Sequence, residues 1–136
     1  MLQDRLEEFF DVNVGSASRI DSEYLVEEKY DCLIIGDMIS EAIPSLEIQN
    51  WLLKFKEISN KNNLVINVFS GFYIAPYDFN NEQFWIEFLK EHINTEMIFP
   101  PVLSLKLKKA DLILENGSLE LVKAYSNDII GFLIKS

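Results

Sequence analysis

The stretch Tyr30-Asp-Cys-Leu-Ile-Ile-Gly-Asp37 decides the fold class of this 136-residue chain. Its four apolar residues, Cys32–Ile35, follow one another without a polar interruption. A strand that is covered on both faces has no polar side, so this run predicts a buried central strand of a mainly parallel sheet. Ligands of open α/β sheets bind beyond the carboxyl ends of the strands, which makes Asp37 a candidate ligand-binding residue.

A helix and a second strand are predicted directly after this strand. Ser45 precedes apolar residues at helical spacing, which predicts a capped helix that ends at Asn60–Asn63. Leu64–Phe69 predicts a second buried strand, closed by Ser70 and Gly71. Strand, helix and strand with short connections form a βαβ unit, so the two strands are expected to be parallel neighbours. Ser70 is therefore a second candidate ligand residue at the same edge of the sheet.

The segment Phe72–Phe79 is rich in aromatic residues and is interpreted as a loop after the second strand. An exposed aromatic cluster can bind a protein partner or stack on a flat cofactor ring, whereas core filling beneath a loop is the simpler alternative. Phe72, Tyr73 and Tyr77 are the candidate partner surface. Further helices are predicted at Leu2–Phe10, at Glu23–Lys29 and after Asn80, and a short strand at Val12–Val14.

The C-terminal third changes to the period-two pattern of a strand with one solvated face. Leu103–Leu107 alternates apolar and polar residues, and Asn116-Gly117 suits a type I′ turn. That turn predicts a hairpin that pairs Leu114 with Leu119, and Ile129–Ile134 is expected to be a last strand. The fold class is thus predicted to be α/β, a three-layer sandwich with a mainly parallel sheet and a C-terminal antiparallel hairpin or meander.

Composition limits the classes of partner. The formal net charge is −10, and an acidic surface repels phosphate backbones and anionic lipids, so no nucleic acid and no membrane are expected as partners. A single cysteine cannot form an internal disulfide framework, and neither a signal peptide nor a membrane span is recognisable. These features predict one cytoplasmic domain over residues 1–136.

The candidate residues form no recognisable catalytic motif. The glycines are scattered, without a phosphate loop or a dinucleotide-binding fingerprint, at positions 15, 36, 71, 117 and 131. Asp37 and Ser70 also suit turns at strand ends, Cys32 suits core packing, and His92 has no second histidine or cysteine at ligand spacing. The chain is therefore expected to have no catalytic residues, no metal site and no cofactor.

The order of the elements from Tyr30 to Ser136 resembles the second half of a RecA-type ATPase core. It is most similar to the KaiC-like group and the archaellum accessory ATPase H, through Tyr30–Asp37, Leu64–Ser70 and the segment Ala110–Lys123. The resemblance makes Asp37 the counterpart of the Walker B carboxylate and Ser70 the polar residue that ends the next strand. Nothing in the chain corresponds to the Walker A loop. The resemblance therefore implies a degenerate, non-catalytic domain, a structural or regulatory subunit that self-associates or joins an ATPase partner.

Two alternative resemblances share the βαβ unit. A flavodoxin-like domain would place the aromatic segment Phe72–Phe79 against a flavin ring, although its phosphate loop is missing. A receiver-like domain would use Asp37 as phosphoacceptor with Ser70 beside it, although the other acidic residues and the lysine of that family are not recognisable. Either alternative implies a switch domain that binds a small ligand at the strand ends.

Overall fold

The computed structural model describes residues 2–20, 25, 30–39, 44–79, 82–109 and 113–135. The helix predicted at Glu23–Lys29 lies outside these ranges except for one residue. Three strands and four helices are assigned within them. In chain order they are α1 (Leu2–Glu7), β1 (Cys32–Met38), α2 (Leu46–Lys61), β2 (Val68–Ala75), α3 (Glu82–His92), β3 (Leu103–Lys106) and α4 (Ser118–Lys135).

The three strands form one parallel sheet in the order β1-β2-β3. Cys32 lies opposite Val68, and Phe72 lies opposite Leu103. Strand β2 is therefore the central strand, and the prediction that Tyr30–Asp37 supplies the centre of the sheet is wrong. Within β1 only Ile35 and Asp37 are buried, so the predicted full burial of this strand is also wrong. An unbroken apolar run carries no information about the neighbours of a strand along its two edges.

Helices pack on both faces of the sheet, and the predicted α/β class with a mainly parallel sheet is confirmed. One core joins α2 and α3 to the odd-numbered residues of β1 and β2, with Ile35, Leu52, Phe55, Phe69 and Trp85 among its buried members. The other core joins α1 and α4 to the opposite face, through Leu6, Ile34, Leu103, Tyr125 and Ile129.

Strand β2 lies further along the chain than predicted. Ile66 precedes it and forms an isolated parallel bridge with Thr95, and pairing with β1 begins at Val68. Gly71 is predicted to close the strand, yet it lies inside β2. A side chain at this position would meet the Trp85 ring at 3.2 Å, which explains why the residue is glycine. Gly36 has a similar role on the other face, where the Phe72 ring lies 2.3 Å from the position of a Cβ. Both glycines mark close approach of an aromatic ring to the sheet.

The C-terminal antiparallel hairpin is absent from the described residues, and the prediction is wrong. Gly117 does adopt a turn conformation, with φ of 88°. The chain then enters α4, which also includes the segment Ile129–Ile134 that was expected to be a strand. A single antiparallel bridge, Leu107 to Leu114, precedes the turn. The 18-residue helix is amphipathic and buries one apolar face. This burial outweighs the local preference of a two-residue turn for a hairpin.

Two helices that were predicted from local sequence signals, α2 and α3, are confirmed. The Ser45 Oγ accepts a hydrogen bond from the Ile48 N–H at 3.4 Å, which confirms the predicted cap of α2. The helix predicted after Asn80 is also confirmed, as α3. No strand is assigned at residues 12–14, so that prediction is wrong.

We expect Asp128→Pro to lower the free energy of unfolding by about 3 kcal/mol relative to Asp128→Ala. Asp128 is exposed in the middle of α4, where proline removes a backbone hydrogen bond and clashes with the preceding turn. In the hairpin arrangement the same residue would lie in a loop and tolerate proline. Urea unfolding of the two variants measures the difference, and equal stabilities would contradict the helix.

Candidate functional site

Asp37 lies near the carboxyl end of β1, and its carboxylate is used inside the protein. Its Oδ2 accepts one hydrogen bond from the Ser45 backbone N–H at 2.9 Å and another from the Trp85 indole N–H at 3.3 Å. The residue is 8% exposed. A carboxylate at the start of α2 also interacts favourably with the helix dipole. Asp37 therefore ties α2 and α3 to the sheet.

The surroundings of Asp37 are aromatic. Tyr73 lies opposite it in the sheet register, and the Tyr73 and Trp85 rings are 4.9 Å apart. Both rings are at most 1% exposed. A carboxylate in such surroundings needs every available donor, because an unpaired buried charge is costly. A ligand at Asp37 would have to replace the two hydrogen bonds that the protein already supplies.

Ser70 lies in the middle of β2, not at its end, and it faces α4. The Ser70 hydroxyl donates a hydrogen bond to the Pro100 carbonyl at 3.0 Å and lies 2.6 Å from the Tyr125 hydroxyl. Tyr125 is also 3.3 Å from the Gly71 carbonyl. Ser70 and Tyr125 thus share one short contact, in which either hydroxyl can be the donor, and each also donates to a backbone carbonyl. Burial raises the pKa of Tyr125, and it outweighs the opposite effect of the Ser70 hydrogen bond.

The fold does not bring Asp37 and Ser70 together. Asp37 faces α2 and α3, whereas Ser70 faces α4 on the other side of the sheet. In the register Ser70 lies opposite Ile34, three residues before Asp37 and about 10 Å away along the strand. A ligand-binding role for either residue stays a prediction, and a single site that uses both would have to span the sheet.

Other reactive groups are held in the protein interior or tied to it. Burial, reinforced by Asp31, raises the pKa of the Cys32 thiol to about 11, so the thiolate is scarce near neutral pH. The His92 Nδ1 lies 2.8 Å from the Phe88 carbonyl, and the two rings are stacked. Across the described ranges, no three His, Cys, Asp or Glu residues converge as metal ligands.

The three residues of the predicted partner surface have separate environments. Tyr73 is 1% exposed and belongs to the core, so its predicted location on the surface is wrong. Phe72 points to the opposite face, where it lies over Gly36 and remains partly exposed. Tyr77 is 45% exposed beyond the end of β2, with the Lys109 ammonium 5.6 Å from its ring centre. The alternation of β2 explains the separation, because successive side chains point to opposite faces.

An apolar groove of about 500 Å³ lies on the α1/α4 face. Its floor is the carboxyl half of the sheet, and its walls are the starts of α1 and α4. The groove is defined by Leu2, Phe72, Leu103, Leu114, Leu119 and Val122. Met38 points to this same face of the sheet and is 69% exposed. The face is apolar, yet no helix of the described chain covers this part of it.

Sequence reasoning identified Phe72 but missed the other groove residues. Leu114 and Leu119 were interpreted as cross-strand partners in the hairpin, and in the structure they lie on either side of the Asn116-Gly117 turn. A usable signal was present, because Leu119, Val122, Ile129 and further apolar residues recur at helical spacing.

A second cleft, of about 570 Å³, lies at the opposite edge of the sheet, between the ends of α2 and α3. Lys56, Lys90 and His92 line it, together with Glu91 and Glu96. The lysines alone would suggest that this cleft binds an anion. The carboxylates and the negative ends of two helices disfavour anion binding. Ligands of parallel sheets bind at the other edge, so this cleft is a weak candidate site.

Comparison with protein-family models, with curated proteins and with solved structures finds no match to this chain. Among the described helices, none combines the length and the apolar character required to cross a bilayer.

We expect Asp37→Ala to lower the free energy of unfolding by about 1–3 kcal/mol, because one buried and one partly buried N–H donor lose their acceptor. Trp85→Phe removes one donor, so the double variant should lose less than the sum of the single losses. A double-mutant cycle from urea unfolding measures this coupling. Strict additivity would contradict the bond between Asp37 and Trp85.

We expect the protein to lose stability above about pH 10 through Tyr125. Burial raises the pKa of Tyr125 in the folded state, so the unfolded chain loses this proton first. The stability contributed by Tyr125 is complete below the unfolded pKa and is lost as pH rises towards the folded value. Urea unfolding at about pH 8 and about pH 10.5 should show a smaller loss for Tyr125→Phe than for wild type. Tyr77→Phe, at an exposed ring, is the control, and equal losses in all three proteins would refute this role of Tyr125.

Proposed function

We propose that this chain is a non-catalytic interaction domain, a structural or regulatory subunit that binds another protein through the apolar groove. The groove is the observation that carries the proposal, because a concave surface of about 500 Å³ with a mainly apolar lining is typical of binding sites. The proposal includes a degenerate RecA-like ATPase core as the origin of the fold and an ATPase assembly as its setting.

The use of Asp37 supports a structural role for the residue that resembles the Walker B carboxylate. Its two hydrogen bonds, to Ser45 and Trp85, stabilise the positions of α2 and α3. The parallel β1–α2–β2 unit is consistent with the proposed ancestry, since it is the part of the ATPase core that the chain resembles. The lack of a phosphate-loop motif in the sequence supports a non-catalytic role.

The exposure of the groove walls supports protein binding. Leu119, on the groove wall that α4 forms, is 52% exposed. Leucine side chains that stay half in water within a helix contribute little to folding, whereas burying them against a partner is favourable. Half-exposed apolar residues around a groove are typical anchors for another protein segment.

We expect Leu119→Ser to abolish retention of a protein partner by the immobilised chain in a lysate of the source organism. The substitution replaces a groove wall without changing the net charge. Leu53→Ser is the matched control, because Leu53 is 58% exposed on α2, on the other side of the sheet. Bound proteins identified by mass spectrometry should be shared by the wild type and the control and lost in Leu119→Ser.

Identical protein sets for all three baits would contradict binding through the groove. A monomer by light scattering, together with no retained protein, would contradict the interaction function as a whole. A rise in melting temperature with Mg-ATP would contradict the non-catalytic assignment, since a ligand at one hundred times its dissociation constant adds about 2.7 kcal/mol.

A further inference from the structure

None of the described helices covers the apolar groove. Sheet faces in layered α/β domains are covered by helices. On this face α4 covers β3, whereas α1 has only 6 residues and a length of about 9 Å. Among the described helices, none therefore covers the carboxyl half of the face, where Phe72 and Met38 lie.

The net charge of the chain favours a positively charged segment as the occupant of the groove. The one charged side chain among the lining residues of the described chain is Glu115. Glu120, Lys106 and Lys123 lie next to lining positions, and the two lysines balance Glu115 and Glu120, so the field at the groove is set mainly by the net charge of −10. An acidic body of this size attracts cationic segments and repels anionic ones, including a second copy of itself.

We propose that the apolar groove binds an amphipathic helix of a partner protein, with an apolar stripe and lysine or arginine residues on its flanks. This inference rests on the proposed interaction function and specifies its partner. The apolar stripe would contact Phe72 and Leu119, and its apolar residues would recur at i, i+3, i+4 and i+7. The flanking cations would lie towards Glu115 and the acidic surface.

The probe is a fluorescent peptide of about 15 residues that contains only leucine and lysine, with all leucines on one helical face. Fluorescence anisotropy measures its affinity for the full chain. We expect saturable binding that is about fivefold weaker for Leu119→Ser than for wild type, because one apolar contact is lost. Leu53→Ser should bind like wild type. Raising the salt concentration from about 0.05 M to about 0.5 M should weaken binding.

Two further peptides separate shape from charge. One has the same composition with the leucines distributed around the helix, and the other carries glutamate in place of lysine. Equal binding of the redistributed peptide, or equal binding by Leu119→Ser and Leu53→Ser, would show only general attraction between opposite charges and would overturn the inference. Equal binding of the glutamate peptide would overturn the cationic character of the partner.

Light scattering of the protein without peptide distinguishes a failure of the helix inference from a failure of the proposed interaction function. A dimer that dissociates in Leu119→Ser, together with no peptide binding, would make a second copy the occupant. That result overturns the helix inference and preserves the interaction function. A monomer that binds no peptide and retains no protein would overturn both.

Discussion

The carboxylate of Asp37 is the contact on which one whole layer of the protein depends. It accepts hydrogen bonds from the first N–H group of the α2 cap at Ser45 and from the Trp85 indole of α3. These donors come from two separate helices, so their positions relative to β1 are coupled through one side chain. Such a buried polar contact is directional, and it favours one arrangement of α2 and α3 among the many that apolar packing alone would allow.

A second polar contact acts on the other face of the sheet. Ser70 connects the middle of β2 to α4 through Tyr125 and to the connection before β3 through Pro100. The two contacts lie on opposite sides of the sheet, and each holds the helices of its own layer. Residues that resemble ligand positions of nucleotide-binding domains thus serve the internal structure. The apolar groove, by contrast, lies on a part of the α1/α4 face that no described helix covers.

An element was predicted correctly when the residues that determine it lie close together in the sequence. Ser45 and the helical spacing after it are local, so the cap of α2 was predicted correctly. Ser70 and Gly71 were interpreted as a strand end because serine and glycine are common in turns. Their actual reasons are contacts with Pro100, Tyr125 and Trp85, which lie between 14 and 55 positions away. No local sequence pattern contains such contacts, so the position of β2 and the environment of Ser70 could not be predicted from the sequence.

The sequence alone determined the α/β class, the capped helix α2 and the net negative charge, because each follows from local periodicity or from summed charge. The tertiary structure decided that β2 is central, that residues after Gly117 continue as a helix, and that Asp37 and Ser70 face opposite layers. It also decided the location of the groove. These properties arise from contacts between distant segments, and burial in one common core selects among local conformations that the chain permits equally.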